Sequence, residues 1–137
     1  MTFGVTGPNN RVTTTVASFL GNLPELLGVL QREGDKTLVV VSFQGSKYVK
    51  FIVRDEIFAE VVSNTFLDGD EGLTVFQEAV LRELDFSAPC APNRPNWYYV
   101  ERTASNCLVI SAKIATVLLH IFNCAPNDVV TIQTWKG

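Results

Sequence analysis

One histidine and three cysteines are the residues of this 137-residue chain best suited to catalysis or metal binding. To act as a general base, His120 would need a nucleophile or a carboxylate beside it, and no motif in the sequence supplies one. The cysteines Cys90, Cys107 and Cys124 are too scattered to form a metal site with a single histidine. We therefore predict no catalytic residue, no metal and no cofactor, and we expect His120 to be a partly exposed helix residue.

The acidic segment Asp68-Gly69-Asp70-Glu71-Gly72 has the composition of a calcium-binding loop. It lacks the glycine at the sixth position and the distal glutamate of an EF-hand, so we expect a solvated turn before a helix. The sequence also contains no glycine-rich phosphate loop, no Gly-x-Ser-x-Gly and no His-Glu-x-x-His. The motifs of the sequence therefore do not support an enzyme.

The aromatic run Trp97-Tyr98-Tyr99 is a further feature of interest, because tyrosine and tryptophan are enriched at protein-binding surfaces. On a strand, Trp97 and Tyr99 share one face, whereas Tyr98 and Val100 share the other. One pair should pack under a helix, and the other should lie on an open sheet face or beneath the proline-rich loop that precedes the strand. Core packing and partner binding both remain open for these side chains.

The composition predicts a single globular domain spanning residues 1–137. The chain is 47% hydrophobic and 18% charged with a net charge of −3, which excludes disorder and disfavours nucleic-acid binding. No apolar run approaches the ~20 residues that span a bilayer. The odd number of scattered cysteines indicates reduced thiols and hence a cytoplasmic protein. A mean hydropathy of +0.19 suggests that some apolar surface is left for a partner.

Hydrophobic spacing predicts the elements that must position these residues. A helix should run from Val16 to Gly34, broken or kinked at Pro24 because proline lacks an N–H donor. Both faces of the next strand are apolar, which suits a central strand covered on both sides. Residues 56–64 also fit a helical spacing, but we predict a strand there. The predicted strands are residues 36–43, 47–53, 56–62, 96–102 and 129–135, and residues 1–11 form a mobile loop. The second helix begins at Thr74 with a Thr-x-x-Gln capping box to Gln77, and the third covers residues 105–123.

The stretch Lys47-Tyr48-Val49-Lys50-Phe51 resembles the Tyr-Val-Gln-Phe-type strand of actinobacterial TY-Chap domains. These domains are relatives of the type III secretion chaperones and YbjN-like proteins, which are thought to bind peptides. Further matches follow in order and cover roughly residues 36–130: Ala59-Glu60-Val61-Val62-Ser63-Asn64 with Phe66-Leu67, then Pro95-Asn96-Trp97, then the closing helix before Pro126. The resemblance implies a type III secretion chaperone-like α+β fold, with helices packed on a twisted antiparallel sheet of about five strands in the order α-β-β-β-α-β-α-β. It carries no catalytic residue over.

Two positions depart from the family pattern. Leu84-Asp85-Phe86 stands where the family tends to have Leu-Gly-Trp, and Asn123-Cys124 stands where it tends to have Gly-Val. Aspartate and asparagine tolerate a left-handed backbone best among residues with a side chain. We therefore expect both turns to survive the loss of glycine.

The lack of a catalytic constellation, the apolar excess and the resemblance together favour a non-catalytic cytoplasmic binding protein. It would hold a peptide or protein client on an apolar sheet or helix surface, or along a free strand edge through backbone pairing. It would act as a chaperone-like module or as an immunity-type inhibitor of a toxin, and the client could be a secreted protein. The candidate contact residues are Val39, Phe51, Trp97 and Tyr99.

Two alternatives stay open. The fold could assemble a site for a small ligand or a reaction from His120, a cysteine and Glu60 or Glu101. That alternative requires His120 to lie within hydrogen-bonding reach of such a group. The apolar surplus could instead be buried in a homodimer, and we predict self-association at high concentration.

Overall fold

A sheet of six antiparallel strands, in the order β1-β6-β2-β3-β4-β5, forms the centre of the fold. The computed structural model describes residues 10–90, 92–102 and 107–136. The strands are β1 Asn10–Thr15, β2 Thr37–Phe43, β3 Lys47–Val53, β4 Ile57–Val61, β5 Trp97–Glu101 and β6 Val129–Lys136. The helices are α1 Val16–Glu33, α2 Val75–Glu83 and α3 Cys107–Thr116, and α3 continues as a π-helical turn over Val117–Ile121. None of the helices in the described residues is long and apolar enough to cross a membrane.

Helix α1 is one continuous element across Pro24. It begins at Thr15, whose side chain accepts a hydrogen bond from the Ser18 N–H, and it ends at Gly34 with φ of 82°. Leu23 and Leu27 lie on either side of Pro24 and are fully buried, so packing on both sides holds the helix together despite the missing donor. Of the two expectations at Pro24, a break into two helical pieces is wrong and a kink stays a prediction, whereas the predicted end at Gly34 is confirmed.

The helices cover one face of the sheet, and alternate residues of each strand point to it. In β2, Val39 and Val41 are fully buried on this face, whereas Leu38 and Val40 are only half-buried on the opposite one. The buried cluster joins one face of the strands to all three helices. β2 is central in the strand order, as expected, but none of the described helices covers its second face. The expectation of cover on both sides is therefore wrong.

The sequence does not predict β1, since it predicts a loop over residues 1–11 and a sheet of about five strands. Residues 1–9 lie outside the described residues, and Asn10 and Arg11 begin the strand. Val12 is its one apolar residue, so the strand has no alternation that a sequence pattern could reveal. β1 forms instead by antiparallel pairing with β6, in which Val12 lies opposite Ile132. The alternative helix at residues 56–64 is not formed, since Ile57–Val61 is β4.

The helix ends confirm several local expectations. Asp85 and Asn123 adopt φ values of 69° and 55°, the left-handed conformation predicted for the two positions that lack the family's glycine. Thr74 and Gln77 form a reciprocal capping box at the start of α2. The Gln77 Nε2 also donates to the Ile121 carbonyl at 2.7 Å, which fixes α2 against the π-helical end of α3.

Candidate functional site

Five apolar side chains form a continuous row across the face of the sheet that the helices leave open. In register, Trp135 lies opposite Leu38, Leu38 opposite Ile52, Ile52 opposite Phe58, and Phe58 opposite Val100. We call these five residues the apolar row. All five are half-buried, and four strand spacings of ~4.8 Å give the row a length of ~19 Å. Apolar surface that is contiguous and uncovered is typical of an interaction site.

Ion pairs lie on both sides of the apolar row: Arg102 Nη1 is 2.9 Å from Glu56 Oε1 beside Val100 and Phe58, and a less exposed pair lies on the other side. Lys50 and Glu60 face each other across β3 and β4, with 2.7 Å between Nζ and Oε2. Glu60 is 8% exposed, so its carboxylate depends on Lys50 for compensation. The pair leaves this central part of the face without net charge.

The loop before β5 closes one end of the open face. The Arg94 guanidinium lies 4.8 Å from the centroid of the Phe58 ring and 4.7 Å from that of Tyr98. The two rings are themselves stacked at 5.9 Å. Ser87 exchanges two backbone hydrogen bonds with Tyr98, so the loop also caps part of the outer edge of β5. The accessible part of the face therefore runs from Arg94 towards β6.

A second concave surface lies on the helix side of the sheet, between β1 and α1. This groove has a volume of about 250 Å³. Its apolar lining consists of Val12, Phe19, Leu26 and Ile132, and the rest of the lining is asparagine, serine and threonine, so no lining residue is ionisable. Val12 is 44% exposed. The groove is bounded by α1 on one side and by β1 and β6 on the other.

The four contact residues expected from the sequence all lie on the helix-covered face. Val39 and Phe51 are fully buried, and Trp97 is 1% exposed. Tyr99 is half-buried and packs against Phe86, with 5.8 Å between the ring centroids. Trp97 and Tyr99 are thus the aromatic pair that packs under helices. Val39, Phe51 and Trp97 offer no surface to a client in this conformation, so the surfaces described above are the better candidates.

Half-buried Tyr99 forms a polar pair with the buried Glu101. The Tyr99 hydroxyl donates to the Glu101 Oε1 at 2.8 Å, and the Lys113 Nζ lies 4.8 Å from the Tyr99 ring centroid. Burial, followed by the hydrogen bond to Glu101 and its charge, raises the pKa of Tyr99 to about 12. Burial likewise raises the pKa of the Cys107 thiol, so neither group is activated as a nucleophile. The arrangement is structural in character.

The alternative site around His120 is not assembled in this geometry. His120 is exposed within the π-helical turn, and among the described residues it makes no hydrogen bond to a Cys, Ser, Asp or Glu. Glu60 is paired with Lys50, and Glu101 accepts from Tyr99. The part of the chain that the structure describes also contains no group of three His, Cys, Asp or Glu side chains that could hold a metal ion.

Sequence reasoning missed both the apolar row and the groove. The signal for the row was present, since Leu38, Val40 and Ile52 occupy the second faces of their strands. The apolar second face of β2 predicts helices on both sides of the strand, because a sequence pattern shows that a face is apolar but not what lies over it. For the groove there was no signal, since it depends on β1.

Comparison with known proteins adds one match. A family model described as "T3SS (YopN, CesT) and YbjN peptide-binding chaperone 3", TY-Chap3, matches residues 11–136. Neither the curated proteins nor the solved structures contain a significant match to the chain.

Proposed function

The chain belongs to the TY-Chap3 family of peptide-binding chaperones, and from that premise we propose that it is a non-catalytic, chaperone-like protein that holds a peptide or protein client on the apolar row. The observation that carries the proposal is the register that aligns Trp135, Leu38, Ile52, Phe58 and Val100 on an open sheet face. A scaffold with an uncovered apolar face needs no reacting group to perform this task. The role rests on burial of apolar surface alone.

The energy available from the apolar row fits reversible binding. A fully buried large apolar side chain contributes ~1.5–3 kcal/mol, so completing the burial of a half-buried one contributes about 1 kcal/mol. Five such residues give about 5 kcal/mol before the cost of ordering the client. Association itself costs ~4–15 kcal/mol, so the apolar row supports at most weak binding unless further contacts are added, which suits a client that must later be released.

The client should present apolar side chains and little net charge to this face. The Lys50–Glu60 pair is neutral as a unit, and the chain as a whole carries −3. Neither feature attracts nucleic acid, which needs clustered positive charge. A secreted protein or a toxin held in an inactive state are the two kinds of client we consider, and cysteines that form no disulfide among the described residues favour a cytoplasmic setting.

The position of Trp135 allows a direct test. The chain has two tryptophans, and Trp97 is buried whereas Trp135 lies in the apolar row. In a Trp97→Phe variant, the fluorescence of Trp135 should shift to the blue when reduced insulin chains, used as a model client, bind to the face. Aggregation of the reduced insulin chains is the second measurement. Wild-type protein should delay the aggregation, and Ile52→Asp should abolish the delay.

Thr65→Asp serves as the matched control, because Thr65 is an exposed residue outside the sheet. It should behave as wild type in both measurements. If Ile52→Asp and Thr65→Asp are equally active, and circular dichroism shows that both are folded, the apolar row is not the client-binding surface. If Trp97→Phe does not fold, acrylamide quenching of the half-buried Trp135 indole in wild-type protein reports client binding instead.

Self-association is the competing use of the apolar row. Two copies could bury the row against each other, which accords with our expectation of a dimer at high concentration. Light scattering from dilute to millimolar protein distinguishes the cases. A strict monomer over that range rules the homodimer out, and a dimer that Ile52→Asp dissociates would mean that clients compete with a second copy.

A further inference from the structure

A depression in the open face lies beside the turn that joins β3 to β4, and we call it the hairpin pocket. It has a volume of about 310 Å³ and is lined by Lys36, Ile52, Arg54, Asp55, Glu56 and Phe58. Ile52 and Phe58 lie opposite each other in the apolar row, so the hairpin pocket continues the row. Its volume is at the lower limit of small-ligand sites, ~300 Å³, which suits a single small group.

The polar half of the hairpin pocket favours an anion. Glu56 is compensated, because Arg102 Nη1 lies 2.9 Å from its Oε1. Arg54 and Asp55 are exposed, and neither forms an ion pair within residues 10–90, 92–102 and 107–136. With Lys36 and Arg102, three cations therefore surround the pocket against two carboxylates. A guanidinium binds a carboxylate through two parallel hydrogen bonds, which makes Arg54 the natural partner for a carboxylate ligand.

The ligand must place an apolar group and an anion close together. Ile52 and Arg54 are two residues apart along the same strand, a separation of ~6.6 Å. The C-terminal residue of a polypeptide carries its side chain and its carboxylate on one Cα, so it presents both groups as one small unit. An internal acidic residue would bring a peptide unit on each side, for which a pocket of about 310 Å³ is too small.

We propose that the hairpin pocket captures the C-terminal residue of the client, with its apolar side chain against Ile52 and Phe58 and its carboxylate on Arg54. The inference rests on the proposed function, because the preceding residues of the client would lie along the apolar row. A free small acid would use the pocket alone and would gain nothing from its continuity with the row. The preferred client therefore ends in a residue such as Leu or Phe with a free carboxylate, and it is otherwise uncharged.

Two matched peptides test the inference directly. Both are heptapeptides of Ala, Val and Ser that end in Leu-Phe and carry fluorescein at the N-terminus, and one has a free C-terminal carboxylate whereas the other is a C-terminal amide. Fluorescence polarisation measures their binding to wild-type protein. The free acid should bind about two- to fivefold more tightly, the range for an ion pair with an exposed partner. The preference should shrink in 1 M salt, where the Debye length is ~3 Å.

Variants of the hairpin pocket should move this preference in opposite directions. Arg54→Gln should remove the preference for the free acid without changing the affinity for the amide. Asp55→Asn removes a carboxylate that repels the ligand, so it should strengthen binding of the free acid. Arg11→Gln is the matched control, because Arg11 is exposed on β1 and two strands separate β1 from β3. It should keep the preference of wild type.

The outcomes separate this inference from the proposed function. Equal affinity of wild-type protein for the two peptides, with both lost in Ile52→Asp, would overturn the C-terminal site and leave the proposed function standing. If wild-type protein binds neither peptide at millimolar concentration, both fail. An amidated peptide with an internal Glu that binds as tightly as the free acid, or N-acetylphenylalanine that does so, also overturns the inference. If Arg54→Gln does not fold, the comparison of the two peptides on wild-type protein still decides.

Discussion

Replacing Tyr99 by Phe should change how the stability of the protein depends on pH. The pKa of Tyr99 is raised from 10.0 to about 12, chiefly by burial and then by Glu101. Between these two values the unfolded chain loses the phenolic proton while the folded protein keeps it. The contribution of Tyr99 to stability is therefore fully present below pH 10 and is lost as the pH rises towards 12.

The magnitude follows from the size of the shift. With a pKa of about 10 in the unfolded chain and about 12 in the folded protein, Tyr99 has lost about 1.4 kcal/mol of its contribution to the free energy of unfolding at pH 11. Tyr99 is only half-buried, so solvent screening reduces the expected loss to about 1 kcal/mol. The Tyr99→Phe variant has no phenol to ionise. The difference in free energy of unfolding between wild type and Tyr99→Phe should therefore fall by about 1 kcal/mol from pH 9 to pH 11.

Urea unfolding of both proteins, followed by tryptophan fluorescence at the two pH values, measures this change. All other groups titrate in both proteins and cancel in the difference. Glu101→Gln keeps a hydrogen-bond acceptor but removes the charge, so it should lower the pH at which Tyr99 ionises in an absorbance titration. A difference in free energy of unfolding between wild type and Tyr99→Phe that stays constant or widens with pH would refute the assignment of a half-buried phenol bonded to the Glu101 carboxylate.

Three further outcomes are expected from the local geometry. Thr74→Ala removes the hydroxyl half of the capping box and should lower the free energy of unfolding by about 1 kcal/mol in urea titrations. Asn123→Ala should lower the free energy of unfolding by about 1 kcal/mol, because Asn123 has φ of 55°. Asn123→Gly should stay within about 0.5 kcal/mol of wild type, and equal losses for the two variants would contradict a strained backbone at this position. Arg94→Ala uncovers the Phe58 and Tyr98 rings, so it should cost about 1 kcal/mol of stability yet strengthen binding of the insulin chains, as measured by the Trp135 fluorescence shift.

Local signals in the sequence were the most predictive part of the fold. The capping box at Thr74 and the left-handed positions at Asp85 and Asn123 depend on a few neighbouring residues, and each was found where expected. β2, β3 and β4 followed in the same way from their β-branched and aromatic residues. These elements are specified by interactions that act within one or two turns of chain.

The features that determine the candidate site depend on contacts between distant parts of the chain. β1 becomes a strand through its pairing with β6, and Val12 alone gives no pattern. The alternation of β2 showed that both of its faces are apolar, but the placement of every helix on one side is a property of the whole chain. The choice of Val39 and Phe51 as contact residues failed to find an accessible surface for this reason, whereas their neighbours Leu38 and Ile52 lie on the open face.

The insertion of β6 between β1 and β2 has a consequence for how the molecule is made. During synthesis, β2 to β5 can pair as soon as they leave the ribosome, since each lies beside the strand before it. β1 leaves first, yet its partner is the strand made after all the others. Until β6 emerges, β1 must wait without a partner and the edge of β2 stays open. Closure of such distant pairs is slow, so a nascent chain of this protein would itself expose strand edges to the chaperones of the cell.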